Sequence, residues 1–355
     1  MEKIILENLP LKIELNANIY KQIIRSSRAL AELNGCILNI PNPEILINAL
    51  ILQEAKDSSE IENIITTHND LFIASVDESK ITKAAKEVKD YEVALKKGYK
   101  LLQKDKLIRN NHLIKIQEKL ENTNAGFRKQ SGTNLKNQQT GEIVYTPPQN
   151  FDEIDKFMRN LEKYINEDLD ELDPLVRMAI IHYQFESIHP FYDGNGRTGR
   201  ILNILYLVYK ELLDLPILYL SAYIVKTKTK YYELIQKARE QKAYLEWIEY
   251  ILVGVEQTAI KTIEHINNIN SLMEQTSEIL KNNTKFYSKD FVELLFYHPY
   301  TKIEFLETKL KISRQSASKY LKTCEDLGVL KCIKIGRNSY YVNTKLVDLF
   351  IKGIF

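Results

Sequence analysis

The chain has little glycine, few cysteines, almost no net charge and no long apolar run. Its 355 residues include 12 glycines and 3 cysteines, and the formal charge is +2 at pH 7. Three cysteines, an odd number, do not make a disulfide framework. Cys324 and Cys332 stand eight positions apart, which is no zinc-ligand spacing. We expect Cys36, Cys324 and Cys332 to be reduced side chains in a cytoplasmic protein. A charge so near zero excludes a chain that is one electrostatic sleeve for nucleic acid and leaves only local basic patches. No stretch approaches the roughly 18 uncharged apolar residues of a membrane span. The start, "MEKIILENLP", has mixed charge and lacks the apolar region of a secretory leader. There is no internal repeat and no low-complexity tract.

What is present is a globular composition, 44% apolar and 27% charged, long enough for two or three domains. Most of it has a helical period. In "NPEILINALILQEAKDSSEIENIITT" apolar residues recur at helical spacing, with Asn42 as cap and Pro43 in the first turn. Further helices are expected in "ITKAAKEVKDYEVALKKGYKLL", "RNNHLIKIQEKLEN", "FDEIDKFMRNLEKYINE" and "PLVRMAIIHYQFESI", the last begun by Asp173 and Pro174. Others run from Thr198 to Leu213, from Lys228 to Gln241, and from about Ala243 to Lys281. "KNQQTGEIVYTPPQN" breaks the period. Gly141, the β-prone run Ile143 to Thr146, and Pro147 and Pro148 predict a hairpin. An isolated hairpin has an open edge, to which a visiting peptide can add as a strand; a plain surface loop is the other reading.

The last seventy residues differ. Three short helices, the third from Ser313 to Leu327, precede two strands around a Gly336-Arg337-Asn338 turn, the order of a winged helix-turn-helix. From Phe286 to Phe355 there are twelve Lys plus Arg against seven Asp plus Glu. Arg314, Gln315, Ser318 and Lys319, with Lys334 and Arg337 on the wing, would face DNA if the module binds it; docking to protein is the other reading.

Scarce glycine makes "HPFYDGNGRTGR", His189 to Arg200, conspicuous, because Gly194, Gly196 and Gly199 fall together there. Pro190 stops the incoming helix, and the next helix starts inside the turn. Its unpaired N–H groups and positive dipole end face one point, and small residues let phosphate oxygens approach. Arg197 and Arg200, three apart, share a face. Asp193 at the edge of an anion site implies a bridging divalent cation, Mg²⁺. His189 is the group able to take a proton near neutral pH. The set suits a phosphate ester with a proton to remove.

The stretch also resembles the Fic family signature, H-x-F-x-[D/E]-G-N-G-R-x-x-R, met at His189, Phe191, Asp193, Gly194, Asn195, Gly196, Arg197 and Arg200. The resemblance implies a mainly α-helical Fic-type bundle with a small β-hairpin flap. It also implies transfer of AMP from Mg·ATP to a Tyr, Ser or Thr hydroxyl of a protein. His189 would be the base and Asp193 the magnesium ligand. Asn195 and the backbone at Gly194 and Gly196 would cradle the α-phosphate, with Thr198 and Gly199 in the same turn. Arg197 would take the β-phosphate side, Arg200 the γ-phosphate, and Phe191 would pack beneath. The branch of the family that phosphorylates has lysine at the place of Gly196. Tyr231 and Tyr232 would line the adenine site with Arg239 nearby, and Glu142, Ile143, Val144 and Tyr145 would form the target flap. "SSEIEN" fits the family's inhibitory motif [S/T]-x-x-x-E-[G/N] at Ser58, Glu62 and Asn63, with Glu62 competing for Arg200.

The expected domains are an N-terminal helical region (1–109), a Fic core (110–255), a helical connector (256–285) and the winged helix-turn-helix (286–355). A homodimer is common among such proteins. Two rival readings remain open: a DNA-binding regulator, and transfer of another nucleotide or of phosphate. His68, His112, His182, His265 and His298 show no metal-ligand spacing.

Overall fold

The computed structural model describes residues 4–38, 43–76, 81–137, 140–297, 299–335 and 338–353. The expected cap Asn42, the turn residues Gly336 and Arg337, and His298 lie outside the described residues. In chain order come α1 (Ala17–Leu38), α2 (Pro43–Ile61), α3 (His68–Val76), α4 (Lys83–Asp105), α5 (Asn110–Glu121), β1 (Leu135–Lys136) and β2 (Ile143–Tyr145). Then follow α6 (Phe151–Asn166), α7 (Pro174–Ile188), α8 (Asn195–Tyr209), α9 (Leu220–Lys226), α10 (Lys228–Gln241) and α11 (Tyr244–Asn283). The C-terminal elements are α12 (Lys289–Tyr297), β3 (Tyr300–Thr301), α13 (Ile303–Leu310), α14 (Arg314–Asp326), β4 (Lys331–Ile335), β5 (Asn338–Val342) and α15 (Thr344–Lys352). The protein is mainly helical, as expected. No helix among the described residues is long and apolar enough to cross a membrane.

The centre is α7, and its surroundings explain its sequence. Asp173 caps it by accepting from Leu175 N–H at 2.8 Å, and Pro174 opens it. Every residue from Leu175 to Ile188 is buried, so α7 has no solvent face, and its polar side chains need partners inside. Arg177 reaches Asp168 at 3.0 Å, and Gln184 donates to the Glu7 carbonyl at 2.8 Å. Trp247 of α11 donates to the Ala179 carbonyl at 2.8 Å. Helix α8 packs beside α7, and α1 lies along α11. Helix α11 runs unbroken through residue 255, where a domain boundary was expected.

The hairpin pairs β1 with β2 antiparallel, Leu135 opposite Tyr145. In the C-terminal module β4 and β5 pair from Lys331–Val342 to Ile335–Asn338, and β3 joins the other edge of β5. This module rests on the N-terminal region: α12 packs against α2, and β3 and α15 pack against α3. Phe72 stacks on Tyr300 at 5.3 Å, and the Tyr300 hydroxyl donates to Asn69 Oδ1 at 2.7 Å.

Candidate active site

The glycine-bearing turn between α7 and α8 is closed by its own residues. His189 ends α7 in the left-handed region, φ 50° and ψ 59°, a conformation uncommon outside glycine that histidine enters more readily than most residues. Its N–H donates to the Phe185 carbonyl at 3.0 Å, and its carbonyl accepts from Arg128 Nε at 2.8 Å. Asn195 closes the turn twice: its Oδ1 accepts from Phe191 N–H at 2.8 Å and its Nδ2 donates to the Phe191 carbonyl at 2.9 Å. The amide oxygen and one of its two N–H donors are thereby engaged, and Asn195 shapes the loop. Gly194 has φ 77°, where a side chain would be strained. Asp193 Oδ1 accepts from Gly194 N–H at 2.7 Å, while the residue as a whole is exposed. Phe191 is fully buried, with Phe127 at 5.3 Å beneath the turn.

Around His189 the electrostatics favour a neutral ring. Burial, then the positive charges of Arg239 and Arg128, push its pKa down to about 3. Arg239 is itself buried. Its Nε donates to Ser187 Oγ at 3.1 Å, its Nη2 to the Glu186 carbonyl at 3.1 Å, and its guanidinium lies 4.3 Å from the Tyr145 ring centroid. Glu186 is pushed up to about 7 by burial, and its Oε1 has no hydrogen-bond partner.

Both arginines of the turn are paired with acids. Arg200, 2% exposed, donates through Nε to Ser58 Oγ at 2.8 Å. Its Nη2 donates to the Ser58 carbonyl at 2.9 Å and to Glu62 Oε1 at 2.8 Å. A methyl group on Gly196 would overlap Glu62 Oε1, so the carboxylate lies directly on that glycine. Asn63 takes φ 62° just past the end of α2, which gives a physical reason for Gly or Asn at this place, and Lys228 Nζ donates to its Oδ1 at 2.9 Å. Arg197 donates through Nη2 to Glu121 Oε1 at 2.7 Å and through Nη1 to Glu87 Oε2 at 3.5 Å.

The other expected residues separate. Tyr231 is buried in the core, its hydroxyl 2.9 Å from His182 Nε2, whereas Tyr232 is 42% exposed. Thr198 is fully buried. Gly199 serves the close approach of α8 to α7, because a methyl group there would stand 2.6 Å from Glu186 Oε1. In the hairpin, Glu142 and Ile143 face outward and the Val144 carbonyl accepts from Gln236 Nε2 at 2.7 Å. Tyr145 turns inward, donating to the Ser187 carbonyl at 2.9 Å. Among the residues that enter without having been singled out by the sequence are Arg128, Glu87, Glu121, Gln117, Glu186 and Glu54. Glu54 fastens α2 in place, accepting from the Tyr91 hydroxyl at 2.9 Å, the Ser221 N–H at 3.2 Å and the Ser221 hydroxyl. Gln117 donates to the Asp193 carbonyl at 3.2 Å.

Three family descriptions match in tandem: Fic/DOC family N-terminal over residues 20–100, Fic/DOC family over 107–207, and the C-terminal domain of SoFic-like protein adenylyltransferases over 272–346. The chain belongs to the Fic/DOC family. Its matched domains and its relatives place it among enzymes of the protein adenylyltransferase class. A probable protein adenylyltransferase of Aquifex aeolicus is 26% identical over 303 residues, covering 82% of this chain and 84% of its own. Protein adenylyltransferase fic-1 of Caenorhabditis elegans is 58% identical over a local match of 31 residues, 9% of this chain and 6% of that one. A Fic family protein from Desulfovibrio desulfuricans has the same fold, with a TM-score of 0.60 at 18% identity over 93% of this chain and 97% of its own.

Proposed function

We propose that this Fic chain transfers AMP from ATP to a Tyr, Ser or Thr hydroxyl on a protein, and that Glu62 holds the reaction back. The observation that carries the reading is the Glu62–Arg200 pair: two motifs 138 residues apart meet at 2.8 Å, with Ser58 completing the grip. In the reaction, neutral His189 takes the hydroxyl proton as the oxygen attacks the α-phosphorus. The bond from that phosphorus to the oxygen bridging it to the β-phosphate breaks, and pyrophosphate leaves. The N–H groups at the start of α8 and the two arginines offset the phosphate charge once freed from their acids. Asp193 fits a magnesium ion carried in by phosphates: it is exposed, and among the described residues no group of three His, Cys, Asp or Glu forms a metal cage of its own. Magnesium held there would supply charge neutralisation for the phosphates.

The deciding experiment is the intact mass of the Glu62→Gly protein after incubation with ATP and Mg²⁺. An added AMP supports the reading. An added phosphate replaces it with phosphoryl transfer, and no adduct, with no labelled acceptor in a cell extract, overturns it. UTP, GTP and CTP in parallel test the choice of base.

The pH dependence gives a second check. A pKa near 3 leaves His189 in its basic form throughout the neutral range. The kcat/KM profile, which reports free-enzyme groups, should show no histidine limb between about pH 5 and 8. A limb near 7 that disappears in Glu186→Gln belongs to Glu186. A limb near 6.5 that survives that substitution would contradict the buried, neutral imidazole.

In the C-terminal module, Arg314 faces Glu304 and Glu307, each at 3.6 Å. One expected DNA-facing charge is thus compensated, and the packing of the module on α2 and α3 favours a role within the chain over one on DNA.

A further inference from the structure

Gly194 and Gly196 of the anion turn are covered in the same way. Glu62 Oε1 sits on Gly196 and pairs with Arg200 at 2.8 Å. Glu121 Oε1 sits on Gly194, 2.5 Å from where a methyl group would be, and pairs with Arg197 at 2.7 Å. Each acid thus blocks one small-residue opening and occupies one arginine. They come from separate elements, Glu62 from just beyond the end of α2 and Glu121 from the last position of α5. The Glu121 pair is well shielded, its side chains 4% and 16% exposed. Gln117, one turn earlier on α5, fixes the helix to the loop through the Asp193 carbonyl.

We propose that Glu121 is a second latch: it competes with the nucleotide's phosphates for Arg197 as Glu62 competes for Arg200. The proposal rests on the adenylyl-transfer reading above. Its physical basis is that a polyphosphate lying over Gly194 and reaching Arg197 meets a carboxylate already there, and like charges cannot share the place. Glu121 is also poorly placed as a permanent partner. Burial raises its carboxyl pKa, and Asp193, Glu87 and Asp90 raise it further against the lowering by Arg197. Removing Glu62 opens only half of the cradle. Glu121 is a positioning residue, acting through Arg197 and not on the reacting atoms.

The test compares wild type, Glu62→Gly, Glu121→Ala and the double variant. Mg·ATP affinity is measured by calorimetry, and KM and kcat by AMP transfer from α-labelled ATP. The double variant should bind Mg·ATP about fivefold more tightly than Glu62→Gly, at the upper end of what one ion pair contributes. Its KM should fall by a similar factor while kcat changes little. Affinity or KM that is unchanged or weaker would mean that Glu121 orients Arg197 instead of blocking it, and would overturn the latch. If Glu62→Gly transfers no AMP at all, the proposed function falls, yet the affinities still test the latch. Should the Ala variant fold poorly, Glu121→Asp withdraws the carboxylate by one methylene and must shift the affinity in the same direction.

Discussion

Glu62→Gly should accelerate AMP transfer by about 10²-fold, the cost expected of a phosphate displaced by roughly 1 Å from its productive position. Glu62 pairs with Arg200 and rests on Gly196; under the proposed function its charge would stand where the γ-phosphate goes and would turn ATP away from in-line attack. Glycine removes both obstructions, whereas glutamine would keep an amide on Gly196 and a carbonyl facing Arg200. The helix itself should survive the change. Glu62 is one-third exposed, and α2 is fastened by Glu54 to Tyr91 and Ser221 and by the buried Leu50, Ile51 and Ala55. Ser58 keeps two hydrogen bonds to Arg200, so the guanidinium stays near its place, ready to accept phosphate. The measurement is label from α-³²P-ATP on the protein itself, with wild type alongside. If the variant is no faster, Glu62 is not the brake.

The sequence disclosed the site where chemistry demands rare residue types in order. His189 to Arg200 has a spacing that a packing helix does not need, and the Ser58–Glu62 pair stands on one face because four residues make about one turn. It concealed residues whose local pattern is ordinary. Glu87, Gln117 and Glu121 sit on amphipathic helices, where an acid or amide every few positions looks like a solvated face; only the approach of α4 and α5 to α8 makes them part of the cradle. Arg128, in a loop, has no periodicity at all, yet it is fully buried against the backbone beneath His189. The loss is similar for the fold. Helix α1 is secured by α11, more than two hundred positions away, and β3 has two residues, too few for an alternation to register. Tyr231 shows the opposite failure: a tyrosine pair drew attention, but the hydroxyl of its first member is taken up by His182 in the core.

His189→Ala, made in the Glu62→Gly background, should remove AMP transfer while leaving ATP binding within about twofold of the parent. General-base catalysis contributes roughly 10²- to 10⁴-fold, and no other described group in the turn is placed to replace a neutral imidazole. Binding survives because the turn is not held by the imidazole. Its anchors are the backbone of residue 189, bonded to Phe185 and Arg128, and the double clasp of Asn195 on Phe191. Alanine does carry a cost at φ 50°, where a β-carbon is strained. His189→Asn separates the two effects, since asparagine enters the left-handed region readily but is no base. Both variants should be inactive, with Asn melting closer to the parent than Ala. Calorimetry showing lost ATP affinity together with retained transfer would remove His189 from the chemistry and make it a structural cap.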